Sequence, residues 1–372
     1  MNATLQCFIN VDPLTRYLLT DNNYYAVMNN NSSYELSSAY CYLLANVCSD
    51  DTIRYFSPRL FKEVISPKNP LFEGVNANDS KDLIKFMLEE MNQVLSKLNR
   101  LNGNNNMLNV YSITQVDQTN RELTFNKYKN YFIKGNYSII AQIFFFIMES
   151  TTQCQGCNLI TYNYQSLFLL EFPLESVFNY FLSKNFNLMN YKGEIVINLM
   201  HCLEHFRSPT FFTGDNQFYC NGCKRLMNTI NTNNIYSLPP YLIMIYNRGK
   251  GKSFKCVVEF PEYLNLSNYV LSNQSICNYQ LCGVITHFGQ SGMSGHFIAF
   301  CRHRIDNLSY CYNDSKVERC SNQQNKFIIG SPYILFYRAN NDNRPNHLFS
   351  NLTPLNNNNN FNNMNQNTLF QR

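Results

Sequence analysis

The sequence predicts an α+β fold in which helices come first along the chain and strands come later. Two observations support this prediction. Apolar residues over residues 1–95 recur at the three- and four-residue spacing of helices. From about residue 108 to residue 340, short segments rich in Val, Ile, Tyr and Phe are separated by Asn and Gly turns, which is typical of strands.

The first element is an apolar helix that begins almost at residue 1. Met1, Leu5, Phe8 and Ile9 fall on one helical face, which predicts that residue 1 lies within a buried helix. Asp12 is a capping residue followed by proline, and this pair predicts the start of a second helix.

Later segments differ clearly in pattern. Apolar residues repeat at helical spacing over residues 83–95, which predicts the clearest helix of the chain. The Asn-rich residues 97–107 are expected to form a surface loop. Residues 341–372 are also Asn-rich and are expected to be disordered, because they offer little apolar surface to offset the entropy of ordering.

The composition is that of a folded protein with few charges. Hydrophobic residues make up 45% of the chain, charged residues 15%, and the formal net charge is +5. No Lys/Arg run of the nucleic-acid-binding type is present, so we expect no nucleic-acid partner. The longest apolar run, residues 139–148, is too short to span a bilayer, so we expect no membrane partner.

Cysteine usage indicates the compartment. The chain has fourteen cysteines and shows no signal-peptide pattern, which favours a reducing environment. We therefore expect a cytoplasmic or nuclear protein, or one present in both, whose cysteines are metal ligands or buried thiols.

Two cysteine pairs have the spacing of metal ligands. Cys154 and Cys157 form one C-x-G-C sequence, and Cys220 and Cys223 form a second. Each C-x-x-C can present two thiolates to one zinc ion, and two such pairs complete a closed, structural tetrahedral site. The strands between the pairs must then form an arm that brings them together. The alternative is four unrelated buried thiols.

A second metal motif has a competing interpretation. His201 and His205 match H-x-x-E-H, in which two helical histidines bind a catalytic zinc and Glu204 acts as general base. The competing interpretation is an amphipathic turn whose apolar residues pack while both histidines face solvent. The strand-rich sequence downstream offers no helix for a third ligand, which disfavours a metallopeptidase.

The segment over residues 279–317 carries the clearest catalytic candidates. It predicts three strands, with the Gly/Ser loop "GQSGMSG" between the first two. If the turn between the last two lies in "HRIDNL", His296 and Asn313 are paired at the strand ends. A histidine oriented by Asn is the base half of a Cys-His-Asn triad, although such a pair can also be structural. His287 and His303 are expected to be ordinary strand residues.

These segments together resemble the catalytic domain of ubiquitin-specific proteases, over about residues 1–340. "MNATLQCF" is similar to the end of the family's cysteine box, Gly-Asn-Thr-Cys-Tyr-Met-Asn-x-x-Leu-Gln. The cysteine pairs resemble the zinc site of the family's fingers, and "FPEYLNL" at 260–266 resembles its Phe-Pro-x-x-Leu-x-Leu signature. "GVITHFGQSGMSGHFIAFCR" and "YNDSKV" resemble its histidine box.

The resemblance implies a papain-like cysteine peptidase fold of the ubiquitin-specific protease type, with one structural zinc. It implies a helical thumb, N-terminally incomplete, at 1–135, zinc-bearing β fingers at 136–235 and a β palm with the histidine box at 236–340. Residues 341–372 follow as the Asn-rich tail. The implied partners are ubiquitin and ubiquitinated proteins.

The resemblance also implies roles for individual residues. His296 matches the general base, Asn313 the residue that orients it, and Asp314 a neighbour that is often functional. Asp82 matches the Asp of the family's Gln-Gln-Asp-x-x-Glu-Phe and is a candidate ubiquitin contact.

Three positions of that motif differ. Ser80 and Lys81 replace the two glutamines, and Lys85 replaces the glutamate.

The family's nucleophile is not among the 372 residues. By the match, the catalytic cysteine lies two residues before Met1, and the oxyanion-hole Asn lies five residues further upstream. Cys7 is a poor substitute, because it lies eight residues further on, about 12 Å along a helix. Its neighbours Leu5 and Phe8 also indicate burial.

Three functional hypotheses follow. The first is a cysteine isopeptidase whose nucleophile lies upstream, so that the 372 residues alone are inactive. The second is a ubiquitin-binding pseudoprotease without chemistry. The third, a zinc-ribbon nucleic-acid binder, is disfavoured because the chain lacks basic clusters with interleaved aromatics.

Overall fold

The computed structural model describes most of the chain and confirms the α+β class. The described residues are 1–29, 35–49, 55–74, 78–101, 118–249, 254–273, 276–291, 294–320 and 331–340. Their helices are α1 (Asn2–Ile9), α2 (Asp12–Leu19), α3 (Asp21–Met28), α4 (Leu36–Val47), α5 (Arg59–Lys68), α6 (Ser80–Leu101), α7 (Arg121–Asn136), α8 (Ile139–Phe144), α9 (Leu174–Ser183) and α10 (Leu199–Phe206).

The strands follow mainly in the second half of the chain. They are β1 (Phe146–Cys154), β2 (Ile160–Leu167), β3 (Leu170–Pro173), β4 (Val196–Asn198), β5 (Thr210–Phe212), β6 (Phe218–Cys220), β7 (Arg225–Met227), β8 (Thr229–Ser237), β9 (Tyr241–Asn247), β10 (Val257–Glu259), β11 (Tyr263–Asn265), β12 (Asn278–Ser291), β13 (Ser294–Arg302), β14 (Ser309–Asn313), β15 (Lys316–Arg319) and β16 (Ser331–Ala339).

The first two helices lie where the sequence predicts them. Leu5, Phe8 and Ile9 of α1 are buried, and the proline after Asp12 occupies the first turn of α2. Met1 is different, because it is the residue before α1 and its side chain is 38% exposed. The expectation that residue 1 lies within a buried helix is therefore wrong by one residue.

Two other predictions about helices are corrected. Helix α6 runs to Leu101, so residues 97–101 are helical rather than part of a loop; Leu98 continues the buried face. Helices α7 and α8 occupy a region that the pattern assigned to strands. The apolar residues of α7 do not share one face, and those of α8 continue directly into β1, so neither helix has a clear periodic signal.

Some expectations lie outside the described residues. They are the rest of the Asn-rich loop, 102–107, and the Asn-rich tail, 341–372. Within the described ranges, no helix combines the length and the apolar character needed to cross a membrane.

The largest sheet is covered on both faces. Its strand order is β15-β14-β13-β12-β16-β9-β3, and β11 also pairs with β12. Along β9, Ile243 and Ile245 pack into a core shared with α1 to α8. Leu242 and Met244 pack into a second core that contains residues of α9 and α10. Because alternate residues of a strand face opposite sides, a strand buried on both faces is continuously apolar.

A second sheet extends away from these cores. Its order is β2-β1-β8-β5, and β6 and β7 form a separate hairpin beside it. Glu149 on β1 is buried and receives two hydrogen bonds from Arg121, at 2.6 and 3.0 Å, and one from the hydroxyl of Tyr164 at 2.6 Å. These bonds satisfy the buried carboxylate where the sheet meets α7.

Residues 136–235 contribute to more than this second sheet. Strand β3 lies within that range but pairs in parallel with β9 of the large sheet. Strand β4 pairs in parallel with β10.

An ion-pair cluster joins the start of α6 to β3. Glu171 accepts hydrogen bonds from Lys81 at 2.9 Å, Lys85 at 3.0 Å and Asn247 at 2.7 Å. Burial raises the pKa of Glu171, but the hydrogen bonds from the two lysines outweigh it, so the net pKa lies below 4.5. Lys81 and Lys85 therefore act together on one carboxylate.

We predict that Glu171→Gln destabilises the protein by about 1–2 kcal/mol at neutral pH, because it leaves both lysines without their anion. A carboxylate whose pKa is lowered by folding stabilises the folded state at pH values above its pKa in the unfolded chain. This stabilisation is lost as the pH falls below 4.5 through the folded-state pKa. Urea unfolding from pH 7 to about pH 3 measures the difference.

The matched control is Glu89→Gln, at an exposed position of α6, which should change stability little. A difference between Glu171→Gln and the native protein that stays constant over the whole pH range contradicts the assignment.

Candidate active site and four-cysteine cluster

His296 and Asn313 form the centre of the candidate active site. Nε2 of His296 lies 2.6 Å from Oδ1 of Asn313. Oδ2 of Asp314 lies 3.7 Å from the same ring nitrogen. The histidine side chain is 45% exposed, so a substrate can reach it. The structure thus brings together all three residues that the histidine-box match assigned.

The strand register that produces this contact differs from the expected one. Strands β13 and β14 pair Ala299 with Tyr312 and Arg302 with Ser309, so the centre of the hairpin lies one residue further along than predicted. Continuing this register places Asn313 opposite residue 298, and His296 is its diagonal neighbour. Diagonal neighbours remain within reach of long side chains, so the contact forms without direct pairing.

Asp314 is held by a contact that no sequence pattern predicts. It follows β14 in the left-handed backbone region, at φ 52°, which is uncommon for a residue other than glycine. Nδ2 of Asn2 donates a hydrogen bond of 2.7 Å to Oδ1 of Asp314. The first residue of α1 therefore lies beside the histidine.

The cysteine of α1 faces away from this site. Cys7 is buried, and its sulfur lies 3.4 Å from the sulfur of Cys301 on β13. This agrees with the sequence argument that Cys7 does not replace the family's nucleophile.

At Gly295, the residue before His296, the backbone of β13 lies very close to residues of β12. A Cβ atom on Gly295 would overlap the ring of His287 and lie 2.6 Å from the carbonyl oxygen of Phe288. His287 is buried in β12, as expected of a strand residue. His303 lies just beyond the end of β13, so its assignment to a strand is wrong.

Asp82 lies in the first turn of α6, on the other side of the site. Burial, with a further contribution from the nearby Asp79, raises the pKa of the half-buried Asp82. Asp79 in turn accepts a hydrogen bond of 2.7 Å from the hydroxyl of Tyr333 on β16, which fixes the start of α6 to the sheet.

The four cysteines converge as their spacing predicts. The sulfur atoms of Cys154, Cys157, Cys220 and Cys223 all lie within 4.8 Å of one another. The Cys154–Cys223 separation is 3.9 Å, and the Cys157–Cys220 separation is 3.5 Å. Four thiolates around a tetrahedral zinc, each 2.3 Å from it, would be about 3.8 Å apart, so the cluster has the dimensions to hold such an ion.

The two cysteine pairs adopt the same local conformation. Asn158 and Lys224, the residues after each pair, are left-handed at φ 59° and 57°. Their backbone N–H groups donate to the carbonyl oxygens of Cys154 and Cys220, at 2.9 and 2.7 Å.

Gly222, in the second of these turns, lies close to the sulfur of Cys157. A Cβ on Gly222 would lie 3.1 Å from the sulfur of Cys157. The backbone N–H of Cys223 lowers the pKa of the Cys220 thiol, whereas the hydrogen bond with Cys157 raises the pKa of the Cys223 thiol.

The H-x-x-E-H motif lies on α10, and the side chains of its two histidines make structural contacts. Nδ1 of His201 accepts a hydrogen bond of 3.2 Å from the backbone N–H of Asn198. The centroid of the His201 ring lies 4.8 Å from that of Phe181. The ring of His205 packs 5.4 Å from that of Tyr180.

Both histidines of this motif are half-buried, so the expectation that they face solvent is wrong. Burial lowers the pKa of each. Among the described residues, the only metal-capable group of three or more side chains is the cysteine cluster, so no third ligand joins the histidines.

Comparison with known proteins confirms the family that the sequence resembles. The family model described as "Ubiquitin carboxyl-terminal hydrolase" matches residues 1–337, and the chain therefore belongs to this family. Ubiquitin carboxyl-terminal hydrolase Usp2 of Drosophila melanogaster is 22% identical over 346 residues, covering 91% of this chain and 33% of that protein. Ubiquitin carboxyl-terminal hydrolase 2 of Homo sapiens is 24% identical over 345 residues, covering 91% and 53%.

Solved structures confirm the ubiquitin-specific protease type of fold. The SAGA Ubp8/Sgf11/Sus1/Sgf73 DUB module bound to ubiquitin aldehyde contains a chain with a TM-score of 0.62 and 18% identity. The match covers 92% of this chain and 68% of that chain. This chain spans a third to about half of the two curated relatives described above.

The packing at Gly295 leads to a prediction about stability. Gly295→Ala should destabilise the protein by about 1–3 kcal/mol, because the added methyl group meets backbone as well as the His287 ring. Gly135→Ala, in α7 with no atom within 4 Å of the new Cβ, should be neutral or stabilise by up to about 1 kcal/mol. Urea unfolding of both variants tests the difference, and equal stabilities contradict it.

Proposed function

We propose that this protein is a cysteine isopeptidase that removes ubiquitin from proteins, with a nucleophilic cysteine two residues before Met1. The observation that supports it best is the 2.6 Å contact between His296 and Asn313, beside Asp314 and the first turn of α1, in a chain of this family. His296 is the general base, Asn313 orients its ring, and Asp314 supports the pair.

The start of α1 is a suitable place for a thiolate. The N-terminus of a helix carries a partial positive charge that lowers the pKa of a nearby thiol, and a protonated histidine lowers it further. Asn2 contacts Asp314, so the chain that leads into α1 lies close to His296.

The reaction then proceeds in two stages. His296 takes the thiol proton, and the thiolate attacks the isopeptide carbonyl after ubiquitin's C-terminal glycine. The lysine amine leaves with the proton returned by His296, and a thioester remains on the cysteine. Water, deprotonated by His296, attacks the thioester and releases ubiquitin and the free thiol.

Residues 1–372 by themselves are proposed to lack this activity. They supply the base and its orienting residue, whereas their α1 cysteine, Cys7, is buried against Cys301. If the residues before α1 contain no cysteine, the alternative is a pseudoprotease that binds ubiquitin without cleaving it.

We further propose that the four-cysteine cluster binds one structural zinc ion. Four cysteine ligands fill every position of a tetrahedral zinc, so the metal supplies stability rather than a reactive site. The cluster joins the turn after β1 to the β6–β7 hairpin, which supports a role for zinc in holding the β fingers together.

The remaining proposals follow from the family and the composition. We propose ubiquitin and ubiquitinated proteins as partners, the thumb, fingers and palm as the parts that grip ubiquitin, and Asp82 as one contact. The abundance of free cysteines supports a place of action in the cytoplasm, the nucleus or both.

The zinc proposal predicts one zinc per chain in the purified protein. Cys220→Ser combined with Cys223→Ser should remove it, because half of the ligands are lost, and should lower the melting temperature. Atomic emission spectroscopy measures the metal content. His201→Ala combined with His205→Ala is the control and should keep the zinc; loss of zinc from this control would instead support the metallopeptidase.

The activity proposal is tested with a ubiquitin-based electrophilic probe that traps the catalytic thiol. The polypeptide 1–372 should remain unlabelled, and a protein extended upstream through its cysteine should be labelled. Removing a triad nucleophile costs on the order of a millionfold in rate in a serine-protease precedent. His296→Ala in the extended protein should suppress hydrolysis, whereas His205→Ala should not.

Two outcomes of this experiment contradict the proposal. Labelling of Cys7 in the polypeptide 1–372 would show a different nucleophile. An extended protein without a cysteine before α1 would favour the pseudoprotease.

A further inference from the structure

A cleft of about 600 Å³ opens beside the proposed active site and has no role in the mechanism above. It is lined by α1, by the β13–β14 turn and the β14–β15 hairpin, by the end of α4 and by residues 55–58. Its volume lies within the range of sites that bind small ligands or short peptide segments.

The cleft is continuous with the candidate active site. Asn2 and Asp314 both line it, and the hydrogen bond of 2.7 Å between them crosses its mouth. The same carboxylate lies 3.7 Å from Nε2 of His296. Asp314 therefore borders both the cleft and the general base, so a group that fills the cleft reaches the carboxylate beside His296.

The order of the strands places the cleft on one particular side of His296. His296 lies on β13, and the cleft lies toward β14 and β15. The first turn of α6 lies on the opposite side, toward β16, because Asp79 is bonded to Tyr333 there. That turn carries Asp82, the residue whose motif match points to ubiquitin.

We propose that this cleft binds the segment of the substrate protein that carries the modified lysine. The inference rests on the proposed isopeptidase function. Such an enzyme needs one surface for ubiquitin's tail and another for the leaving amine and its flanking residues. If ubiquitin's tail approaches past Asp82, the leaving group departs on the opposite side of His296, where the cleft lies.

The lining of the cleft indicates the chemistry of that segment. Val47, Tyr55 and Val317 provide apolar surface, and the side-chain amides of Gln6 and Asn46 can bond to a peptide backbone. This mixture fits an extended peptide with an apolar residue next to the lysine. Val47 and Val317 are 37% and 54% exposed, so they are available for contact.

The test compares two substrates with the full-length protein. One is ubiquitin with a C-terminal aminocoumarin, whose leaving group has no peptide. The other is ubiquitin joined through an isopeptide bond to the lysine of a short fluorescent peptide with apolar flanking residues.

Val47→Asp combined with Val317→Asp should lower kcat/KM for the peptide conjugate by about tenfold, because apolar contacts to the leaving segment are lost. It should leave kcat/KM for the aminocoumarin within about twofold. Leu182→Asp, at an exposed apolar position on α9, is the control and should change neither value.

Any kinetic result other than this one overturns the inference. Equal losses on both substrates would show that the two valines support the fold or the chemistry. No loss on either would show that the cleft is not used. If the native protein turns over neither substrate, the proposed function fails together with the inference, and this result is distinct from the other two.

A second measurement does not depend on the stability of the double variant. A photo-crosslinking amino acid at position 317, with the peptide conjugate bound, should capture the peptide part. Capture of ubiquitin, or of residues of the protein's own chain, would assign the cleft to another occupant and overturn the inference.

Discussion

The packing of α1 against the large sheet is the contact on which the rest of the site geometry depends. Phe8 is completely buried, with its ring centroid 5.6 Å from that of Phe144 and 5.8 Å from that of Phe336. Gly283 on β12 leaves room for Phe336, since a Cβ there would lie 3.3 Å from the Cβ of Phe336. An eight-residue helix is marginal in isolation, so α1 is held in place by this burial. The same packing holds Asn2 beside Asp314.

A second set of contacts aligns α6 with the sheet. The bond from Tyr333 to Asp79 and the paired lysines on Glu171 fix the first turn of this helix to β16 and β3. Lys81 and Lys85 are both departures from the family's motif. In the structure both lysines bond to the carboxylate of Glu171, so these two departures form the ion-pair cluster that joins α6 to β3.

The sequence predicted well those features that local chemistry controls. The α+β class, the start of α2, the helix over residues 83–95 and the convergence of the four cysteines follow from periodicity, capping and ligand spacing. Helices α7 and α8 were missed, because their apolar residues follow no single helical face. The β13–β14 register was also misjudged, because the position of the turn depends on bonds such as that from the N–H of His303 to the carbonyl of Leu308.

The sequence by itself determined which groups are available for chemistry. The order and spacing of the histidine box and of the cysteine pairs are properties of the chain, and they identified the family. Only the tertiary structure decided where those groups stand relative to one another. The contact between Asn2 and Asp314, residues more than 300 positions apart, exists because long-range burial of α1 brings two distant segments to one place. Such a contact leaves no local pattern, since neither residue affects the backbone preference of the other until the core has formed.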